Sequence, residues 1–120
     1  MRLLAITLAC LACGPALADS YPVSGRWGES TSSEKGPIDC ANKRVIEFNG
    51  NQRTDSKGGV PAYRNKTVTA TGPSRYRVVD QFTSGQINNA SASYTLRQID
   101  TDRIELNMQP GGLLKLQKCK

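Results

Sequence analysis

The chain has 120 residues, 38% of them hydrophobic and 22% charged, with a formal net charge of +6, four cysteines and no histidine. That length allows one domain. Lack of histidine removes the usual general base and the commonest metal ligand, which excludes Ser-His-Asp and Cys-His catalysis and histidine-based zinc sites but leaves carboxylate chemistry open.

Met1-Arg2 is a short positive start, followed by the apolar run Leu3 to Ala12 and by Ala16-Leu17-Ala18, the small-x-small pattern that signal peptidase cuts. The reading is a signal peptide over residues 1–18, cleavage after Ala18, and a periplasmic or secreted product. As a transmembrane helix the run is too short, since a span needs about 20 apolar residues. Neither Cys10 nor Cys13 follows the Leu-x-small order of a lipid-attachment site. Loss of Arg2 leaves residues 19–120 as a single β domain with 15 basic and 10 acidic side chains, net +5. Only Cys40 and Cys119 remain, and two cysteines in an exported chain are expected to form one disulfide.

Helical periodicity is nearly absent, and short alternating runs with turn residues every 8–12 positions predict an all-β fold, a single antiparallel barrel or sandwich of about seven or eight strands. The first run is Ser24 to Gly28 and the second Lys43 to Phe48, with Asn49-Gly50 supplying a tight hairpin turn. Asn51 to Ser56 would be the return strand, although it is wholly polar and so reads as an edge. Ala62 to Thr71 is closed by Gly72-Pro73, Arg75 to Phe82 puts Tyr76 and Val78 on one face, and Gln86 to Ile99 does the same with Tyr94 and Leu96. After the turn Asp100-Thr101-Asp102, Ile104, Leu106 and Met108 alternate with Glu105 and Asn107, and Leu113 to Cys119 is the last run. The expected core is Trp27, Val45 or Ile46, Phe48, Tyr76, Val78, Tyr94, Leu96, Ile104, Leu106, Leu114 and Leu116. In an eight-strand meander Cys40 and Cys119 would stand at opposite barrel ends. Their pairing therefore requires residues 31–42 to cross the barrel end, or a strand count that is off by one.

Gly25-Arg26-Trp27 resembles the Gly-x-Trp signature in the first strand of calycin-type barrels, which include lipocalins, the avidin group and small periplasmic metalloprotease inhibitors. The resemblance implies that Trp27 plugs one barrel end and that Gly25 lets the backbone pass close to it. The inhibitors' disulfide joins nearby early strands, whereas Cys40–Cys119 would tie the front to the tail. Their N-terminal arm enters a protease cleft, but only Asp19 to Ser24 precede Gly25 here. Both departures point away from protease inhibition.

Arg64 with Lys66, and Arg75 with Arg77, are i, i+2 pairs and so lie on one face of their strands. If the two strands form a hairpin, the four make one basic patch for an anionic partner, or a solvated outer face that blocks aggregation, the reading preferred here. Val68 and Ala70 continue the parity of Arg64 and Lys66, so Ala62 to Thr71 is expected to be an edge or strongly twisted strand. Too few exposed aromatics accompany the charges for nucleic-acid stacking. Asp100-x-Asp102 reads as a turn rather than a calcium loop, since the distal ligands are missing. Glu29, Glu34, Asp39, Glu47, Asp80 and Glu105 are scattered, and no spacing selects a catalytic pair. Asn65-Lys66-Thr67 and Asn89-Ala90-Ser91 match the N-glycosylation pattern.

The expectation is a non-enzymatic exported binding module for a small ligand or a partner protein, with no metal, cofactor, nucleic acid or membrane span. One alternative is an envelope structural or stress-protective protein whose basic face meets anionic surfaces. A second is a protease inhibitor.

Overall fold

The structure is a computed structural model, and it describes residues 20–32, 34–57, 62–83, 90–108 and 111–120. The signal-peptide cleavage point and the Asn89 acceptor lie outside the described residues. Eight strands, β1 (Gly25–Glu29), β2 (Val45–Asn49), β3 (Gln52–Asp55), β4 (Ala62–Gly72), β5 (Arg75–Phe82), β6 (Ser91–Asp100), β7 (Arg103–Met108) and β8 (Gly112–Lys118), pair antiparallel in sequence order. β8 returns to β1 and closes the barrel, with Trp27 opposite Lys118 and Glu29 opposite Leu116. Closure leaves no free sheet edge.

Turn chemistry sets the hairpins. The β2–β3 loop is Gly50-Asn51, and only Gly50 has a positive φ, 65°, which is the type II′ pattern rather than the doubly positive I′. The β4–β5 turn places Pro73 at its second position and Ser74 at its third with φ 58°, a type II turn.

Alternation along the strands packs Trp27, Ile46, Phe48, Val78, Leu96, Ile104, Leu106, Leu114 and Leu116 inside, nearly or wholly removed from water. This part of the interior is filled by side chains. Ile46 rather than Val45 takes the inward position, and Tyr76 packs at the margin of the cluster. Tyr21 and Val23, which alternation did not select, enter the barrel from the segment before β1. Tyr21 N–H donates to the Gly50 carbonyl at 3.0 Å, and its ring meets Phe48 edge-on at 4.9 Å.

Three expectations are corrected. β3 is a true strand and not an edge: it pairs with both β2 and β4, and its inward positions carry the buried polar residues Arg53 and Asp55. β4 is not an edge either, being paired on both sides. Its parity conflict is resolved by a β-bulge between Asn65 and Thr67, where one extra residue shifts the alternation. Tyr63 and Asn65 therefore face inward before the bulge and Val68 after it, while Arg64 and Lys66 stay exposed. The strand count of eight stands. Cys40 reaches Cys119 because the β1–β2 connection folds over the outside wall at the β1–β8 seam instead of crossing the barrel end.

Along that seam the Gln117 amide donates to the Glu34 and Gly36 carbonyls at 2.7 Å, and Ile38 forms a parallel bridge with Cys119. The disulfide then seats against Gly28. A Cβ there would stand 2.5 Å from Cys40 Sγ, so the position accepts glycine alone.

Candidate functional site

The interior changes character between β3 and β6. Arg53 from β3, Asn65 from β4, Asp80 from β5 and Tyr94 from β6 converge there, joined by Tyr21 from the segment before β1, all buried. The Asp80 carboxylate is the hub. Its Oδ2 accepts from Arg53 Nε at 2.7 Å and from the Tyr94 hydroxyl at 2.9 Å, and its Oδ1 accepts from Asn65 Nδ2 at 3.2 Å. Asn65 Nδ2 also reaches the Thr67 and Val79 carbonyls, which ties the bulge to the cluster. The Arg53 guanidinium lies 3.8 Å from the Tyr63 ring centroid and 5.0 Å from that of Tyr94. Such stacking offsets part of the cost of burying a cation. Half-buried Tyr63 and Phe82 meet edge to face at 5.3 Å above it. Asp55, the other inward acid of β3, is held by Arg44 Nη2 at 2.7 Å and Nε at 3.0 Å.

Protonation follows from this packing. Burial pushes the Tyr21 phenol far above its usual value, and the Asp80 carboxylate beside it adds to the effect. Burial also pushes Tyr94 up, only partly opposed by Arg53. Burial alone disfavours the Arg53 charge, but Tyr94, where it ionises at high pH, and the Asp80 carboxylate outweigh it, so the guanidinium stays protonated. The cluster thus contains one cation, one anion and two neutral phenols. Three of its buried polar atoms, Tyr21 Oη, Arg53 Nη1 and Asn65 Oδ1, have no hydrogen-bond partner among the described residues. Buried polar groups are nearly always satisfied, so three exceptions in one cluster mark it out.

The residues singled out in the sequence lie elsewhere. Trp27 is fully buried near the end where the chain enters and leaves the barrel, its Nε1–H donating to the Ser24 carbonyl at 3.0 Å, with Lys118 Nζ 5.3 Å from its ring centroid. Gly25 has φ +93°, a conformation that suits glycine. Cys40 and Cys119 are bonded. Arg64, Lys66, Arg75 and Arg77 are all exposed on the β4–β5 hairpin, but they do not form one compact patch. Arg64 stands opposite Gln81 and Arg77 opposite Thr69, so Arg64 and Arg77 are separated by four positions of β5, about 13 Å. Asp100 ends β6 at the turn into β7, its carboxylate accepting from Asp102 N–H and Arg103 Nε. The Asn65 glycosylation reading is corrected, because its side chain is buried and bonded in the cluster.

The polar cluster was missed although two signals for it exist. A two-residue loop after Asn49 makes Phe48 pair with Arg53, and a core phenylalanine then implies an inward arginine. Asp80 likewise shares the face of Tyr76 and Val78. No family model, curated protein or solved structure matches the chain.

Proposed function

We propose that the chain is a small non-enzymatic binding barrel whose ligand is held in its polar half, against Arg53, Tyr21 and Asn65. The observation that carries this reading is the set of three unpartnered polar atoms around the buried Arg53–Asp80 pair. Among the described residues both buried carboxylates, Asp55 and Asp80, are paired with arginines, which suits a structural and binding role for them. The Gly25-x-Trp27 resemblance to calycins supports a binding role, and the tucked positions of Tyr21 and Val23 speak against an N-terminal inhibitory arm. The signal-like residues 1–18 and the disulfide fit action in the periplasm or outside the cell.

The charge balance selects the ligand class. Arg53 and Asp80 already cancel, so a ligand charge would be buried without a counterion, at a cost of several kcal/mol. A neutral group with both an acceptor for Arg53 Nη1 and a donor for Asn65 Oδ1 fits, and a carboxamide has both.

Titration of the isotope-labelled protein with benzamide, followed at the Arg53 Nε–Hε signal, tests the reading. A saturable shift that benzoate does not produce is the expected result. The reading fails if neither compound shifts that signal, or if benzoate shifts it equally.

A further inference from the structure

On the outer wall, away from the interior cluster and independent of it, we propose a second site: the groove across β5–β8 binds a phosphate monoester. The register assembles it. Arg75 pairs directly with Arg97 on β6, Arg97 with Glu105 on β7, and Glu105 with Lys115 on β8. One row further along the strands, Arg77 pairs with Thr95, Thr95 with Asn107, and Asn107 with Leu113. These two rows thus carry four cations, Arg75, Arg77, Arg97 and Lys115, and a single carboxylate, Glu105. Among the described residues the one ion pair that relieves them is Arg97 Nη1 to Glu105 Oε1, 3.2 Å long, with the arginine half exposed. A pair of that kind contributes little.

Like charges directly opposite across a sheet are destabilising. Arg75 and Arg97 occupy such positions at the rim of a groove of about 500 Å³, whose other walls are Thr71, Thr95, Glu105, Asn107 and Leu113, so a bound phosphate takes Arg97 over from Glu105. Leu113 is 55% exposed, the large apolar side chain that the described residues leave in water. An isolated solvated face needs neither the facing arginines nor the apolar lip beside them.

A phosphate monoester answers each feature. It carries a charge of about −1.5 to −2 near neutral pH and three acceptor oxygens. Two guanidinium forks on neighbouring strands can each take it bidentately. The hydroxyls of Thr71 and Thr95 and the Asn107 amide stand by for the remaining oxygens. The body that bears the phosphate lies against Leu113. A carboxylate, with one charge and two oxygens, would satisfy one arginine and leave the other facing it. The volume falls within the range of small-molecule sites. The phosphate can belong to a soluble sugar ester or to a lipid headgroup.

Calorimetric titration at low salt with glucose 6-phosphate tests the soluble source. Co-sedimentation with phosphatidylcholine vesicles containing phosphatidic acid, against vesicles containing the diester phosphatidylglycerol, tests the lipid source. The expected result is saturable binding in one arm, at least about tenfold weaker in Arg75→Gln and in Arg97→Gln, the loss of one hydrogen-bonded charge. Arg64→Gln/Lys66→Gln removes two charges from the same hairpin outside the groove and is expected to bind as the parent does. Glucuronate, a hexose with a carboxylate, is expected to bind at least about tenfold more weakly than glucose 6-phosphate, as one missing charged contact implies. The site is refuted by no saturable binding in either arm, by equal loss in the Arg64/Lys66 variant, or by equal affinity for glucuronate. Urea midpoints of the groove variants no lower than the parent's verify that each binding comparison uses folded protein.

Discussion

Asp80→Ala is the sharpest perturbation that the interior offers. It leaves the Arg53 guanidinium, 1% exposed, with no counterion, and it strips the Tyr94 hydroxyl and one contact of Asn65 of their acceptor. Removing one partner of a buried ion pair costs about 3–5 kcal/mol. The orphaned phenol adds roughly 1 kcal/mol more, which gives about 4–6 kcal/mol for the variant, an upper figure because local relaxation and water entry lower it. Against the roughly 5–15 kcal/mol of a domain this size, that loss brings the fold close to its limit. Arg53→Met costs a comparable amount, since Asp80 is then the unpaired charge. The double variant Arg53→Met/Asp80→Ala removes both charges, so it is expected to be more stable than the sum of the singles by about 2–3 kcal/mol. Urea unfolding with the disulfide intact, with m constant across the set, measures all three. Asp80→Ala within about 1 kcal/mol of the parent, or strictly additive singles, would refute the buried pair.

Three further outcomes follow from the same geometry. Replacing both Cys40 and Cys119 by serine opens a closure spanning 79 residues and is expected to lower stability by about 4–5 kcal/mol; the denatured, unreduced protein beginning at Asp19 is expected to show no free thiol by titration. Gly28→Ala is expected to cost about 1–3 kcal/mol by forcing the disulfide off the wall, and most of that penalty is expected to vanish when Cys40 is also alanine, as a double-mutant cycle in urea reads. Tyr21 and Tyr94 have folded-state values raised above the unfolded phenol, so their contribution is fully present below about pH 10 and is lost as pH rises further, at up to about 1.4 kcal/mol per unit for each. Urea midpoints at pH 9, 10 and 11 that do not fall would contradict this.

Much of the fold follows from local chemistry that the sequence carries by itself. Gly50 and Pro73 favour two hairpin turns locally, Gly50 by accepting the positive φ of a II′ turn and Pro73 by its fixed φ at the second position of a type II turn. Ser74, by contrast, takes φ 58° against its own preference. The alternation of Ile104, Leu106 and Met108, or of Tyr94 and Leu96, assigns faces because side chains on a strand have a period of two. The Cys40–Cys119 bond is the pairing expected when residues 1–18 are read as a cleaved signal, since that reading leaves two cysteines. Tertiary structure decided what depends on partners far along the chain. Arg53 and Asp80 stand 27 positions apart, and each is an ordinary surface residue until barrel closure brings one against the other. The bulge after Asn65 overrides the alternation of β4, since the Asn65 amide binds Asp80 and the Val79 and Thr67 carbonyls together. Arg75 faces Arg97 only through the β5–β6 register. Apolar burial is repeated at every second residue and so can be read locally, whereas a polar site is a meeting of single residues, which the closed barrel alone arranges.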